Sequence, residues 1–356
     1  MGLHFTFKNK KISGILSVLP DNEVTFEEEM GNYNFSEAKS LKLKMAMGYN
    51  KHRIVKEDTN VSDMCVFGVN YLIDNNLLKK EDISALILVT QSFEHFMPPT
   101  SNIIHGKLEL DKNIICMDIN QGCAGFILGL IQSYMLLEQD SIKKVVLMNA
   151  DVLSRKVSKR DRNSNPLIGD AACITIVEKS DKTTNINCVI NMDGKGAYVL
   201  QIPAGGFKIP CGDGTSEMKE DENGNFRSLE NLVMKGDEVF NFVQTEVPPM
   251  LEELLDISGK ETSDIDYWLF HQPNKFMLNK LADKMEVPRE KMPSNIVENF
   301  GNASGATIPT NISFNLSDSA CSQTLNVCFA GFGVGLTWAA IEQELGNLNF
   351  NKIIYY

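Results

Sequence analysis

Short apolar runs rich in β-branched residues alternate along this chain with longer stretches whose apolar positions recur at helical spacing. "SALILVTQ", "NIICMDI", "KKVVLMNA" and "ACITIVE" in the first half, then "DYWLFHQ" and "TLNVCFAG" in the second, have the length and the bounding polar residues of buried strands. The opening "MGLHFT" alternates like a first strand. Between these runs, "EDTNVSDMCVFGVNYLI" and "MKGDEVFNFVQTEVPPMLEELL" predict amphipathic helices, each followed by a short polar linker and a strand. "GFILGLIQSYMLL" predicts a more apolar helix. Alternation of this kind means an α/β fold.

Three features recur at a nearly constant offset of about 180 positions. "ILVTQ", ending at Gln91, matches "WLFHQ", ending at Gln272; "CAGF" from Cys123 matches "ASGA" from Ala303; "VVLMNA" from Val145 matches "VCFAGF" from Val327. The chain is therefore expected to consist of two related halves, 1–180 and 181–356, in one compact unit. Coincidences of this kind also arise in unrelated α/β chains. The polar, Gly-rich stretch at 211–231, "CGDGTSEMKEDENGNFRSLEN", is the one long loop-like insertion, and no flexible interdomain linker is visible.

Composition narrows the class. A chain of 356 residues, 43% hydrophobic and 22% charged, can bury a large core. Its formal net charge of -12 argues against nucleic acid as a general partner. The eight cysteines include no C-x-x-C pair, and several sit in apolar runs, which fits a reducing cytoplasm. The first twenty residues lack the long apolar core of a signal peptide, and no run of about 18 apolar residues predicts a membrane span.

Cys123 lies in "DINQGCAGFIL", where an apolar strand gives way to an apolar helix. Amides at a helix N-terminus stabilise a thiolate, so this junction is a candidate nucleophile site. A cysteine in such a junction is as readily a core residue. Among five histidines, His271 alone stands at the end of a strongly apolar strand, in "YWLFHQPN", and strand ends carry chemistry in α/β folds. "NFGNASGATIP", residues 299–309, forms a tight turn presenting Asn302, whose amide donates to a carbonyl without carrying charge. A Cys, a His and an Asn together suit acyl transfer: a thiolate takes the acyl group and two neutral donors stabilise an enolate-like oxygen. Zinc needs clustered ligands at short spacing, which are absent, so no metal is expected.

"INQGCAGF", "HQPN", "GNASGATIP" and "GFGVGLTW", in that order, resemble the ketoacyl synthase III branch of the thiolase superfamily, and the likeness extends over nearly the whole chain. The resemblance implies a thiolase-like duplicated α/β fold of five layers, α-β-α-β-α, and a homodimer. It also implies a ping-pong decarboxylative Claisen condensation without metal or organic cofactor, coenzyme A or phosphopantetheine entering only as part of the substrates. By motif, Cys123 would accept the acyl group, while His271 and Asn302 would hydrogen-bond the malonyl thioester carbonyl. The backbone amides of Cys123 and of Val334, in "GFGVG", would form the oxyanion hole. Residues matching Gly236, Phe240 and Asn274 line the family's pantetheine channel, and Arg162 falls at a basic position beside the coenzyme A adenine. "GFGVG" could be taken for a dinucleotide loop, but the "LTWAAI" that follows continues as a strand.

Asn302 also separates branches within the superfamily. Degradative thiolases use a second cysteine and hydroxymethylglutaryl synthases a glutamate, whereas Cys-His-Asn goes with decarboxylation. The alternatives are an acyltransferase of secondary metabolism that moves the acyl group to a hydroxyl or amine, and a catalytically silent partner subunit. One half of the family's adenine clamp is missing, with Lys42 and Ala46 at its positions, which favours a carrier-protein-bound or longer acyl donor over acetyl-coenzyme A. Two basic stretches, 155–162 and 39–56, are expected to dock an acidic acyl carrier protein. The loop "TQSFEHFMPPTSN", residues 90–102, is expected to border the acyl pocket through Phe93, Phe96 and Met97.

Overall fold

A computed structural model describes residues 1–356. The strands of its two large sheets are β1 (Leu3–Lys8), β2 (Lys10–Leu19), β3 (Ile83–Val89), β4 (Ile115–Ile119), β5 (Lys144–Asp151), β6 (Ala171–Lys179), β7 (Asn185–Met192), β8 (Tyr267–Phe270), β9 (Thr324–Gly333), β10 (Thr337–Gly346) and β11 (Phe350–Tyr355). One sheet has the order β11-β2-β6-β5-β3-β4 and the other β1-β7-β10-β9-β8. The principal helices are α1 (Glu37–Met47), α2 (Val61–Asp74), α3 (Gly125–Leu136), α4 (Gly236–Ser258), α5 (Lys275–Lys284) and α6 (Thr307–Asn315).

The pleat of the strands explains the layering. In β3, Ala85, Ile87 and Val89 face one side, where they join Phe126, Leu130 and Tyr134 of α3, Ile308 and Ile312 of α6, and Phe329 of β9 in a single core. Leu86 and Leu88 face the other side and pack with Met64, Val69 and Leu72 of α2. On the outer face of the second sheet, Trp268, Phe270 and Ala330 meet Val243, Leu251 and Leu254 of α4 and Leu278 and Leu281 of α5. Helix, sheet, two central helices, sheet and helices thus make five layers of thiolase type. A central helix has no solvent face, and α3 is largely apolar all round, with Phe126, Ile127, Leu130, Ile131 and Tyr134 all buried, whereas α6 buries Thr307, Thr310, Asn311 and Ser313 beside Ile308 and Ile312. The tyrosine hydroxyl donates to Gln343 Oε1 at 2.6 Å.

Corresponding strands hold corresponding places: β3 pairs parallel with β5 in one sheet, and β8 pairs parallel with β9 in the other. The expected boundary at 180/181 does not divide the sheets cleanly. The first strand, β1, pairs with β7 in the second sheet, and the last, β11, pairs with β2 in the first. Asn9, at φ 58°, turns the chain from one sheet into the other. The 211–231 insertion is not wholly irregular. Lys219–Glu220 pairs with Phe226–Arg227 in a short hairpin, which Arg227 ties to Asp161 and Asp221.

Candidate active site

Cys123 sits between β4 and the first residue of α3, and its elbow is too crowded for side chains. A Cβ on Gly122 would lie 2.3 Å from Gln91 Oε1 and 2.8 Å from Val334 Cγ1. Space, rather than an unusual backbone angle, demands that glycine. Gly125 and Gly129 let α3 approach the sheet, since a Cβ at either would come within 2.6 Å of Val89 or Leu147. Across the sulfur runs the end of β9. Gly333, at φ +156°, has no Cβ to strike Cys123 Sγ, which would be 2.6 Å away.

The electrostatics of the thiol differ from the expectation. Burial pushes Cys123 up to about 11, and the Val334 and Cys123 amides only partly offset it. Desolvation of a single anion outweighs two neutral donors, so helix amides do not make a resting thiolate here. With so high a value, acylation by a thioester donor is expected to rise about tenfold per pH unit between pH 7 and 9. A plateau in the acylation rate near pH 7.5, followed by mass spectrometry, would overturn this reading.

His271 follows β8, and its backbone N–H donates to Ala330 O at 2.8 Å. Burial lowers the imidazole to about 4, so the ring is neutral at ordinary pH. Its Nδ1 meets Thr307 Oγ1 at 2.8 Å, leaving Nε2 as the nitrogen without a protein partner. The Thr307 hydroxyl also lies 2.9 Å from Ser304 O, a carbonyl that the Thr307 backbone N–H serves as well. When the hydroxyl turns from that carbonyl to Nδ1, leaving Ser304 O to the backbone N–H, the ring proton is kept on Nε2.

Asn302 is anchored by its backbone: its N–H donates to Leu167 O at 2.7 Å, and its carbonyl accepts Gly169 N–H at 3.2 Å. Its side-chain Oδ1 accepts Ser304 N–H at 2.9 Å, so the amide nitrogen is left to donate into the site. Gly301, at φ +82°, could not carry a Cβ, which would lie 2.7 Å from Gly169 N.

Cys123, His271 and Asn302 together line a cavity of about 1090 Å³. Gly236, Phe240, Asn274 and Arg162 line the same channel. A second cavity of about 760 Å³, bordered by Phe93, Phe96, Leu200, Ile202 and Val334, shares Cys123 and Asn302 with the first. Two cavities thus converge on one sulfur. Met97 lines neither and is 83% exposed, contrary to the expectation for this residue; from this loop Phe93 and Phe96 supply the apolar lining instead.

Residues 117–201 match the sequence profile of 3-oxoacyl-[acyl-carrier-protein] synthase III, and residues 255–344 match its C-terminal profile. A "Putative 3-oxoacyl-[acyl-carrier-protein] synthase 3" of Campylobacter jejuni is 30% identical over 351 residues, 98% of each chain. The chain belongs to the 3-oxoacyl-[acyl-carrier-protein] synthase III family. A "Beta-ketoacyl-[acyl-carrier-protein] synthase III" of Clostridium perfringens is 30% identical, covering 94% of this chain and 98% of the relative. A crystal structure of a 3-oxoacyl-(acyl-carrier protein) synthase from Burkholderia xenovorans superposes with a TM-score of 0.92 at 32% identity, covering 100% of this chain and 99% of that one.

Other features of this synthase III chain were not visible in its motifs. Thr307 lies inside the "GNASGATIP" turn, but its role depends on β8 bringing His271 against it. Leu43, Met47 and Tyr49 line the channel from α1 and just beyond it, whereas Lys42 and Ala46 are exposed. The basic stretch 155–162 is largely spent on internal contacts. Arg155 donates to Glu57 O at 2.6 Å, Arg160 lies 3.6 Å above the Phe226 ring, and Arg162 lies 4.6 Å above Phe35 while donating to Asn225 Oδ1 at 3.1 Å. Two of these contacts are to the 211–231 insertion, which local charge patterning could not anticipate. Behind the nucleophile, burial raises the Asp151 carboxyl to about 7; it accepts from Gln91 N at 2.8 Å and Ser92 Oγ at 2.9 Å.

Proposed function

We propose that this chain catalyses decarboxylative condensation of an acyl thioester with a malonyl thioester, the malonyl group carried by an acyl carrier protein. The observation that carries the reading is the meeting of two cavities at Cys123, one of them also bordered by the free donors of His271 and Asn302. The Cys123 sulfur attacks the acyl carbonyl, the Cys123 and Val334 amides receive the oxyanion, and the donor thiol departs with the proton. The malonyl thioester then enters the channel. Its C–COO⁻ bond breaks, carbon dioxide leaves, and the electron pair forms an enolate whose oxygen accepts from His271 Nε2–H and the Asn302 amide. The carbanion attacks the acyl-Cys123 carbonyl, and the Cys123 thiolate leaves the 3-oxoacyl product. Carbon dioxide release in step with product is the test; acyl transfer without it would overturn the reading.

His271 keeps its proton on Nε2 when the Thr307 hydroxyl, within reach of both Ser304 O and Nδ1, turns to donate to Nδ1. Thr307→Val is expected to slow malonyl decarboxylation by roughly 100-fold, the scale of losing one oriented donor, while Thr307→Ser retains it. Equal decarboxylation in all three proteins would remove Thr307 from the mechanism.

The same reading includes cytoplasmic action, two related halves meeting at 180/181, and a homodimer. The equivalent β3–β5 and β8–β9 pairs support the halves. The eight free thiols support a reducing compartment. A cluster of Phe93, Phe96 and Phe207, with ring centroids 5.5 and 5.0 Å apart and Phe207 89% exposed, supports cover by a second copy. Phe207→Glu is expected to raise the dimer dissociation constant at least tenfold in analytical ultracentrifugation.

A further inference from the structure

A buried histidine–carboxyl pair beside the Asn302 turn takes no part in the chemistry above. His52, in the short strand Lys51–Arg53, is 4% exposed, and Glu29, at the end of the Phe26–Glu29 helical turn, is 9% exposed. Glu29 Oε2 lies 3.1 Å from His52 Nε2, at ion-pair distance without the alignment of a hydrogen bond, and neither atom has a hydrogen-bond partner. On the opposite side of the ring, Nδ1 meets the Ile168 carbonyl at 2.5 Å.

Both ring nitrogens therefore face groups that only accept. A carbonyl cannot give a proton, nor can an ionised carboxylate, so the arrangement is complete only when both nitrogens carry hydrogen and the ring is an imidazolium. The carbonyl it grips belongs to the residue that bridges Asn302: Ile168 and Asn302 form an isolated parallel β-bridge. The two flanking bonds of that bridge are Asn302 N to Leu167 O and Gly169 N to Asn302 O. His52 also presses on the turn directly, since a Cβ on Gly301 would lie 2.8 Å from His52 Cβ.

We propose that Glu29 and His52 form a strut that positions Asn302, so that these two residues govern decarboxylation without touching substrate. The inference rests on the role given to Asn302 above. A neutral ring carries one N–H: donating to Glu29 it presents a lone pair to the Ile168 carbonyl, and donating to Ile168 it presents one to the carboxylate, so either way the strut keeps only one of its two ends. The titratable groups facing the pair are Asp170, which accepts from Val55 N and Ser154, and the neutral Tyr33 hydroxyl beside Glu29. Burial opposes the charge on His52, yet Glu29, the Ile168 carbonyl and Asp170 together hold its pKa above the ordinary histidine value. For a raised group the brace is complete below the ordinary value and is lost as pH rises through the raised one.

The test separates the two half-reactions in the full-length enzyme: Cys123 acylation by intact-mass spectrometry, and carbon dioxide release from malonyl-pantetheine. His52→Leu is expected to slow release at least tenfold while acylation stays within twofold. His52→Asn, whose side-chain amide can still reach the Ile168 carbonyl, is expected to recover release to within about threefold of wild type. Glu29→Gln is expected to move the alkaline fall in release to lower pH. Should His52→Leu fail to fold, judged by circular dichroism, the asparagine variant and the Glu29→Gln pH profile decide the matter. An unmoved alkaline limb, or equal slowing of both half-reactions, overturns the strut. Asn302→Ala serves as the reference. If it leaves release intact, the role of Asn302 itself falls; if it abolishes release while the His52 variants do not, only the strut falls.

Discussion

Cys123→Ala incubated with a panel of acyl-coenzyme A and acyl-carrier donors is expected to show no acyl adduct, where the wild type gains one acyl group per chain. Condensation should fall by roughly four orders of magnitude or more, the scale of removing a catalytic nucleophile. Fold loss is not a ready alternative explanation. The alanine keeps the Cβ that packs under Gly333 and removes only the sulfur, at a site already lined by cavity. The donor that acylates the wild type will also say which of the two cavities holds the acyl chain. The 760 Å³ cavity, with Phe93, Phe96, Leu200 and Ile202, offers the apolar lining a hydrocarbon chain needs. An adduct that persists in Cys123→Ala would remove the sulfur from the mechanism.

The second large effect concerns the other half-reaction. His271→Ala and Asn302→Ala should each lower carbon dioxide release by roughly 100- to 1000-fold, because each withdraws one donor from a developing enolate in a water-poor site. Acyl-Cys123 should then accumulate, which intact-mass spectrometry resolves at early times. The pair acts as a unit, so the double variant is expected to lose less than the product of the single losses. The pH profile of release should show no fall attributable to His271 between pH 5 and 8. Its imidazole is lowered to about 4, so it is largely neutral throughout that range and gains its proton below it. A steep loss of release between pH 7 and 6 in wild type would contradict the neutral ring.

The strands and the main helices were legible in the sequence, and Cys123, His271 and Asn302 stood out there as candidates, because each signal depends on neighbours within a few positions. Alternation of apolar runs marked β3, β4, β5 and β6, and the glycines flanking Cys123 marked the elbow. The Pro248–Pro249 pair did not stop α4, which runs on to Ser258. Its apolar face, Val243, Val247, Met250, Leu251 and Leu254, is buried against the second sheet, and that burial compensates for the backbone bonds the prolines cannot make. Charge patterning proved a poorer guide. The stretch 155–162 reads as a free basic surface, yet its arginines are held by carbonyls near residue 57 and by rings at Phe35 and Phe226.

The sequence by itself determined the family, the α/β class and the residue types available for acyl transfer, since motif and hydrophobic period are local properties of the chain. Tertiary structure alone decided how those residues behave. Whether Cys123 rests as thiol or thiolate turns on desolvation by β9 passing over it, more than 200 positions away. Which nitrogen of His271 and which atom of Asn302 face substrate turns on Thr307 and Ser304 accepting or supplying the competing bonds. The His52–Glu29 pair is invisible in sequence for the same reason: it acquires meaning only where Ile168 and Asn302 meet, and electrostatics in a buried site depend on everything within a few ångströms, whatever its place along the chain.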